Sequence, residues 1–163
     1  EESLMKAIVR ESILQDARDM APNLRDADYA ELKASLGDAL NTEEILEISI
    51  EHSDDPRTVE LDGKPIAIFG VVDSHETIPR VGYVWMLGTN KIKSIRSQFL
   101  RKCKEQLIQQ EEPYEVLTNF VDKRNKVHIK WLRWMGFTII REVENYGAEK
   151  RTFYEFARIK VNV

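Results

Sequence analysis

Few residues in this chain are spaced for chemistry on their own. The three histidines, His52, His75 and His128, fall on separate predicted elements, and no His-x-x-x-His or Cys-x-x-Cys pair occurs. That spacing predicts no zinc centre, which needs nitrogen or sulfur ligands converging on one point. Cys103 is the sole cysteine, so no internal disulfide can form. It recurs with Ile95, Phe99 and Leu107 on one apolar helix face, where a thiol acts as a small hydrophobe rather than a nucleophile. There is no Gly-x-Ser-x-Gly elbow, no Walker A loop and no Gly-x-Gly-x-x-Gly turn, so the sequence predicts neither a triad of that type nor a P-loop or dinucleotide site.

Charge is the stronger signal. Residues 1–62 balance at −11 and residues 63–163 at +7, within a net charge of −4. Lys91, Lys93, Arg96, Arg101, Lys102 and Lys104 stand in a stretch without an acid, and Lys123, Arg124, Lys126, Lys130 and Arg133 form a second cluster. Such concentration raises the local potential for an anionic ligand such as a phosphate. The alternative is a pair of solvated helix faces countered by the acidic half. The negative total argues against general nucleic-acid affinity.

These residues need a scaffold, and 163 residues at 19.0 kDa are enough for one domain with a core. Apolar residues at 42% and charged residues at 32% fit a globular chain and exclude a disordered or low-complexity one. No apolar run approaches the roughly 18 residues of a membrane span, and no signal peptide is visible. A cytoplasmic setting is expected.

Hydrophobic periodicity predicts alternating elements. A weak first strand covers Met5–Ser12. Helices follow over Asp16–Arg25, broken near Pro22, over Asp26–Gly37 with Tyr29, Leu32 and Leu36 as its apolar face, and from Asn41 to His52. Thr58–Leu61 and Lys64–Val72 flank Asp62-Gly63, which predicts a type I′ hairpin. The nearly unbroken apolar run Ile66–Val72 predicts a central strand buried on both faces. Asp73–Arg80 reads as a polar loop, Gly82–Leu87 as a strand, Ser94–Gln110 as a helix, and Tyr114–Val121 as a strand near-parallel to 82–87. A helix over Asn125–Met135, stopped by Gly136, and a hairpin of Phe137–Val143 and Arg151–Ile159 complete a mixed α/β domain.

The most specific stretch runs from Val121 to Thr138. Asn125 is placed to cap the helix, Ile129, Leu132 and Met135 give its core stripe, and Trp131 and Trp134 flank it. With Asn125, His128, Leu132, Gly136 and Phe137 at family spacing, this stretch resembles the second half of the GCN5-related N-acetyltransferase (GNAT) fold. Lys64-Pro65-Ile66-Ala67-Ile68-Phe69-Gly70 and Val84-Trp85-Met86-Leu87-Gly88-Thr89 resemble a group of bacteriophage proteins with this fold, which includes the T7-type internal virion protein. The resemblance implies a strongly twisted mixed sheet of six or seven strands with helices on both faces.

It also implies acetyl-CoA as cofactor and an amine as acceptor. Met86, Leu87 and Gly88 would expose backbone to the pantetheine arm, and Asn125 and His128 would line it. The pyrophosphate loop of the family, Arg-x-x-Gly-x-Gly/Ala, falls on Ile92, Ile95 and Ser97, so both glycines are replaced. Lys91, Lys93, Arg96 and Ser97 would hold phosphate in their place. The tyrosine that protonates the departing thiolate corresponds to Leu132, leaving Tyr146, Tyr154 or Tyr83 as substitutes. Candidate general bases are Glu76, His75 and Asp73, which precede the strand at 82–87. Two readings follow, the first preferred because the residue order is that of the fold and no competing site exists, the second its alternative. One is an N-acyltransferase acting from acyl-CoA on an unidentified amine. The other is a phage virion or accessory protein that keeps the fold as a protein- or DNA-binding scaffold.

Overall fold

The run Ile66–Val72 builds the centre of the molecule. A computed structural model describes residues 6–95 and 97–160. Its strands are β1 (Ala7–Glu11), β2 (Ser53–Leu61), β3 (Lys64–Thr77), β4 (Arg80–Gly88), β5 (Val116–Asp122), β6 (Thr138–Tyr146) and β7 (Arg151–Ile159). They form one sheet in the order β1-β2-β3-β4-β5-β7-β6. All neighbours are antiparallel except β4 and β5. The helices are α1 (Leu14–Met20), α2 (Asp26–Leu36), α3 (Thr42–His52), α4 (Ser97–Glu111) and α5 (Lys126–Trp134).

Strand alternation sends neighbouring residues of β3 and β4 to opposite faces. Ile68 and Leu87 pack with Ala17, Met20, Leu46 and Ile50 of α1 and α3. Phe69 and Met86 pack with Phe99 and Cys103 of α4, while Val71 and Val84 pack with Leu107 and with Ile129 and Leu132 of α5. Helices therefore cover both faces, as the mixed α/β pattern requires. Cys103 is buried here, and desolvation pushes its thiol up to about 12, consistent with an inert hydrophobe.

The Asp62-Gly63 turn has positive φ at both residues, as expected for a type I′ hairpin. Three expectations need correction. Asp73–Arg80 is not a loop: β3 continues to Thr77 and β4 starts at Arg80, because the side chains of Asp73 and Ser74 bond the turn and extend the ladder. The helix predicted from Ser94 starts at Ser97, after a 3-10 turn over Asn90–Ser94. On α2 the apolar stripe faces the core only at Leu32: Tyr29 and Leu36 are 44% and 58% exposed, whereas Asp28 and Ala34 are buried. Polar demand from the sheet turns this helix, as the site below explains. The turn between β6 and β7 fixes it, since Ala148 and Glu149 N–H groups donate to the carbonyls of Ser35 and Ala34.

Gly82 sits where β4 and β5 meet. A Cβ there would lie 2.5 Å from Val71 Cγ1, 3.0 Å from the Tyr114 ring and 3.1 Å from Leu117. Close approach of the two strands thus depends on this glycine. We predict that Gly82→Ala lowers unfolding free energy by about 1–3 kcal/mol in denaturant titration, through overpacking; an unchanged midpoint would refute this.

Candidate functional site

Strands β4 and β5 pair at only three positions, Val81–Val116, Gly82–Leu117 and Tyr83–Thr118. Beyond Tyr83 they part, and the backbone groups of residues 84, 86 and 88 turn toward the gap. Backbone polar groups at such a fork need partners. Asn119 Nδ2 donates to the carbonyl of Val84 at 2.9 Å and props the fork at its base. Further out, the Gly88 N–H donates to Asp28 Oδ2 at 3.0 Å, and the Gly88 carbonyl accepts from the Arg25 N–H at 2.9 Å. An isolated bridge between Leu24 and Thr89 continues this pairing. The chain's own segment before α2 thus lies along the outer end of β4.

That segment is locked by a buried polar network. Arg25 donates to Asp28 Oδ1 at 3.1 Å and to Asn125 Oδ1 at 3.3 Å, and Asn125 Nδ2 donates to Asp28 Oδ1 at 2.9 Å. Glu31, one turn further along α2, accepts from the Asp122 N–H at 2.7 Å and from Asn125 Nδ2 at 3.5 Å. Burial pushes the Glu31 carboxyl up to about 8, with Asp28 and Asp122 adding repulsion, so it is protonated at neutral pH. Its Oε2 lies 4.0 Å from His128 Nδ1, which is buried without a hydrogen-bond partner among the described residues. Burial pulls this imidazole down to about 4, so it is neutral.

Two cavities border the fork. One, of about 390 Å³, opens between α4 and α5; its walls include Met86, Ile92, Ile95 and Trp131, with Lys93 and Lys130 at its edge. The other, of about 160 Å³, lies toward α2 and α3 and is lined by Glu31, Trp85, Asn119 and Tyr146. Met86 and His128 line both.

The predicted residues divide sharply. Met86, Leu87, Gly88, Asn125 and His128 come together at the fork. Asn125 does not cap α5 with its side chain; the amide is spent on Asp28, Glu31 and Arg25 instead. Lys93 reaches the edge of the larger cavity, whereas Lys91 lines a separate groove with Asn23 and Lys64. Ser97 is exposed at the start of α4. Arg96 lies outside the described residues. Asp73, His75 and Glu76 stand at the opposite end of β4, beyond the paired residues. There Asp73 accepts from the His75 N–H at 2.8 Å and from Arg80 at 3.1 Å, bonds that hold its carboxyl below the usual range. Leu132 is a core residue beside Ile129 and Met135. Of the three substitute tyrosines, Tyr146 alone lines a cavity at the fork, and burial raises its hydroxyl.

Sequence reasoning missed Arg25, Asp28, Glu31 and Asn119. The first three lie in an acid-rich stretch that reads as a solvated face. One signal was available: the apolar positions of α2 leave Asp28 and Glu31 on a shared face at i, i+3.

In the loop after β4, the Lys91 N–H donates to Thr89 Oγ1 at 3.3 Å, the Ile92 N–H to the Thr89 carbonyl at 3.1 Å, and the Ile95 N–H to the Ile92 carbonyl at 3.3 Å. These amides are turned inward on the loop itself. The strand end at Gly88 and these three loop amides already have partners, so a pantetheine arm or pyrophosphate pairing with them would have to displace those bonds.

Sheet order, the parted β4 and β5 and the helix between them define the GNAT acetyltransferase fold. Solved structures agree. A ribosomal-protein-alanine N-acetyltransferase from Brucella melitensis superposes with a TM-score of 0.70 at 15% identity, covering 94% of this chain and 99% of that one. The protein yncA from Salmonella typhimurium, solved with its cofactor acetyl-CoA, gives 0.70 at 13% identity, covering 96% and 95%. An acetyltransferase of the GNAT family from Streptococcus pneumoniae gives 0.66 at 16%, covering 96% and 100%. No curated protein matches by sequence. Residues 58–143 match the model of the family described as "Bacteriophage T7, probable scaffold protein Gp13", and the chain belongs to that family.

Glu31 and His128 make stability depend on pH in opposite senses. The raised carboxyl contributes fully below its unfolded value of about 4.5, and that contribution is lost as pH rises toward 8. The lowered imidazole contributes above about 6.5, and its contribution is lost as pH falls toward 4. Between 4.5 and 6.5 the two oppose each other. From pH 6.5 to 8 only Glu31 remains, and stability should fall by roughly 1.4 kcal/mol per unit. Glu31→Gln should flatten that slope in chemical denaturation; an unchanged slope would contradict the assignment.

Proposed function

We propose that the protein is a non-catalytic scaffold of phage assembly, a GNAT fold whose cofactor slot is held shut by its own residues. The observation that carries this reading is the capture of Gly88, whose N–H and carbonyl are bonded to Asp28 and the Arg25 backbone. These are groups that an extended pantetheine arm would use in pairing with β4. Leu132 at the position of the family acid and the inward-turned loop amides point the same way. The description of the matched family as a scaffold protein supports this role. In this reading the fork is a structural joint: Arg25, Asp28, Asn125 and Glu31 staple α2 to β4 and β5. The setting is the host cytoplasm or the virion.

A second reading is favoured by one specific feature. The larger cavity and the smaller one share Met86 and His128 as walls, so an acyl group held on the α4–α5 side would lie close to an amine held on the α2–α3 side. In that reading Tyr146 is the acid, and Glu31, rather than Asp73, His75 or Glu76, borders the reacting centre. Lys93 and Ser97 would then face the cofactor phosphates.

Calorimetric titration with acetyl-CoA separates the two. The scaffold reading predicts no heat at millimolar ligand. Saturable binding, with acetylation of any offered amine, would overturn it in favour of the transferase.

A further inference from the structure

The two faces of the sheet carry opposite charge. Residues 14–52, which include α1, α2 and α3, hold seven acids against two bases besides the buried Asp16, Arg25 and Asp28 and the neutral Glu31. On the other face the 3-10 turn Asn90–Ser94, α4 and α5 hold eight bases against two acids. These faces are packed against opposite sides of β3 and β4, so the asymmetry points through the sheet.

Each face also carries an apolar feature that fits the other. On the basic face, α5 lines the larger cavity with Val127, Lys130, Trp131 and Trp134, spaced at i, i+3, i+4 and i+7. Val127 and Trp134 are 44% and 40% exposed, and Lys104 of α4 lies over the Trp134 ring at 5.3 Å. The result is an apolar groove with a basic rim, in which exposed Lys126 and Lys130 make no ion pair among the described residues. On the acidic face, α3 turns Leu46 and Ile50 inward and leaves Ile48 47% exposed. Glu44 and Glu51 stand at i−4 and i+3 from Ile48, on the same helix face, both exposed. They too make no ion pair among the described residues, whereas Glu43 and Glu47 pair with Arg18.

We propose that the protein self-assembles head to tail, with Ile48 of α3 in one copy seated in the α4–α5 groove of the next, and Glu44 and Glu51 set against Lys126 and Lys130. Donor and acceptor patches lie on different sides of the molecule, so the contact is heterologous and generates a ring or an open chain of copies. Charge matching sets orientation and speeds encounter, while the isoleucine and the tryptophans supply the desolvated centre. The inference goes beyond the scaffold reading and does not depend on it, because association is read by mass and the cofactor question by heat of binding.

The test uses sedimentation equilibrium on the full chain and two charge-reversed variants, Lys126→Glu/Lys130→Glu and Glu44→Lys/Glu51→Lys, with circular dichroism to verify folding. Wild type should associate with rising concentration at low ionic strength and dissociate as salt is added. Each variant alone should associate at least about tenfold more weakly. Mixed together they should assemble again in alternation, because α3 of each matches the groove of the other, through the wild-type contact at one junction and the reversed contact at the next. A wild-type chain that stays monomeric at low salt would overturn the proposal. So would association that neither variant weakens, or variants that fail to pair when mixed. Salt-sensitive retention of duplex DNA by wild type, lost in Lys126→Glu/Lys130→Glu without any self-association, would reassign the basic face to nucleic acid.

Discussion

A strand that leaves its neighbour strands its own hydrogen bonds, and every feature of this site follows from how those bonds are met. From Val84 onward β4 no longer has β5 beside it. An unpaired buried amide or carbonyl costs on the order of 1–3 kcal/mol, so the fork cannot persist empty at no cost. Here Asn119 bonds Val84, and the Arg25–Asp28 segment bonds Gly88 on both sides. The fold is shared with a protein solved with its cofactor acetyl-CoA. In this chain the gap is largely a place where α2 is attached.

That attachment explains why α2 packs its polar side inward. A helix usually buries its apolar stripe, yet Tyr29 and Leu36 face solvent while Asp28 is buried. The carboxylate satisfies Gly88, Arg25 and Asn125 at once, and Glu31 satisfies the amide of Asp122. A buried ion pair contributes little net stability by itself, but it is costly to break and it specifies one arrangement. Replacement of the network's apolar alternatives by Arg25 and Asp28 thus fixes the angle at which the N-terminal helices meet the sheet.

Much of this was legible in the residues and some of it could not be. The apolar run of β3, the Asp62-Gly63 turn, the four-residue spacing of Ile95, Phe99, Cys103 and Leu107, and the Asn125–Phe137 stretch each signal their element through local pattern, and the crossover signals the parallel pairing of β4 with β5. The missing glycines at Ile95 and Ser97 and the leucine at 132 signal an altered site. Asp28 and Glu31 gave only the weak signal of a shared helix face, because their partners are 60 and 91 residues away. A carboxylate destined for burial looks identical in sequence to one destined for water. The polar loop expected at 73–80 failed for a related reason: the side chains of Asp73 and Ser74 bond the turn, and local hydrophilicity does not reveal a ladder.

The amide of Gly88 is the most direct probe of this account. With its N–H held by a buried carboxylate, it should exchange with solvent deuterium only as slowly as the core strands, and addition of acetyl-CoA should leave that rate unchanged. Fast exchange in the free protein that slows on addition of acetyl-CoA would mean that the slot is open and the strand end waits for a ligand.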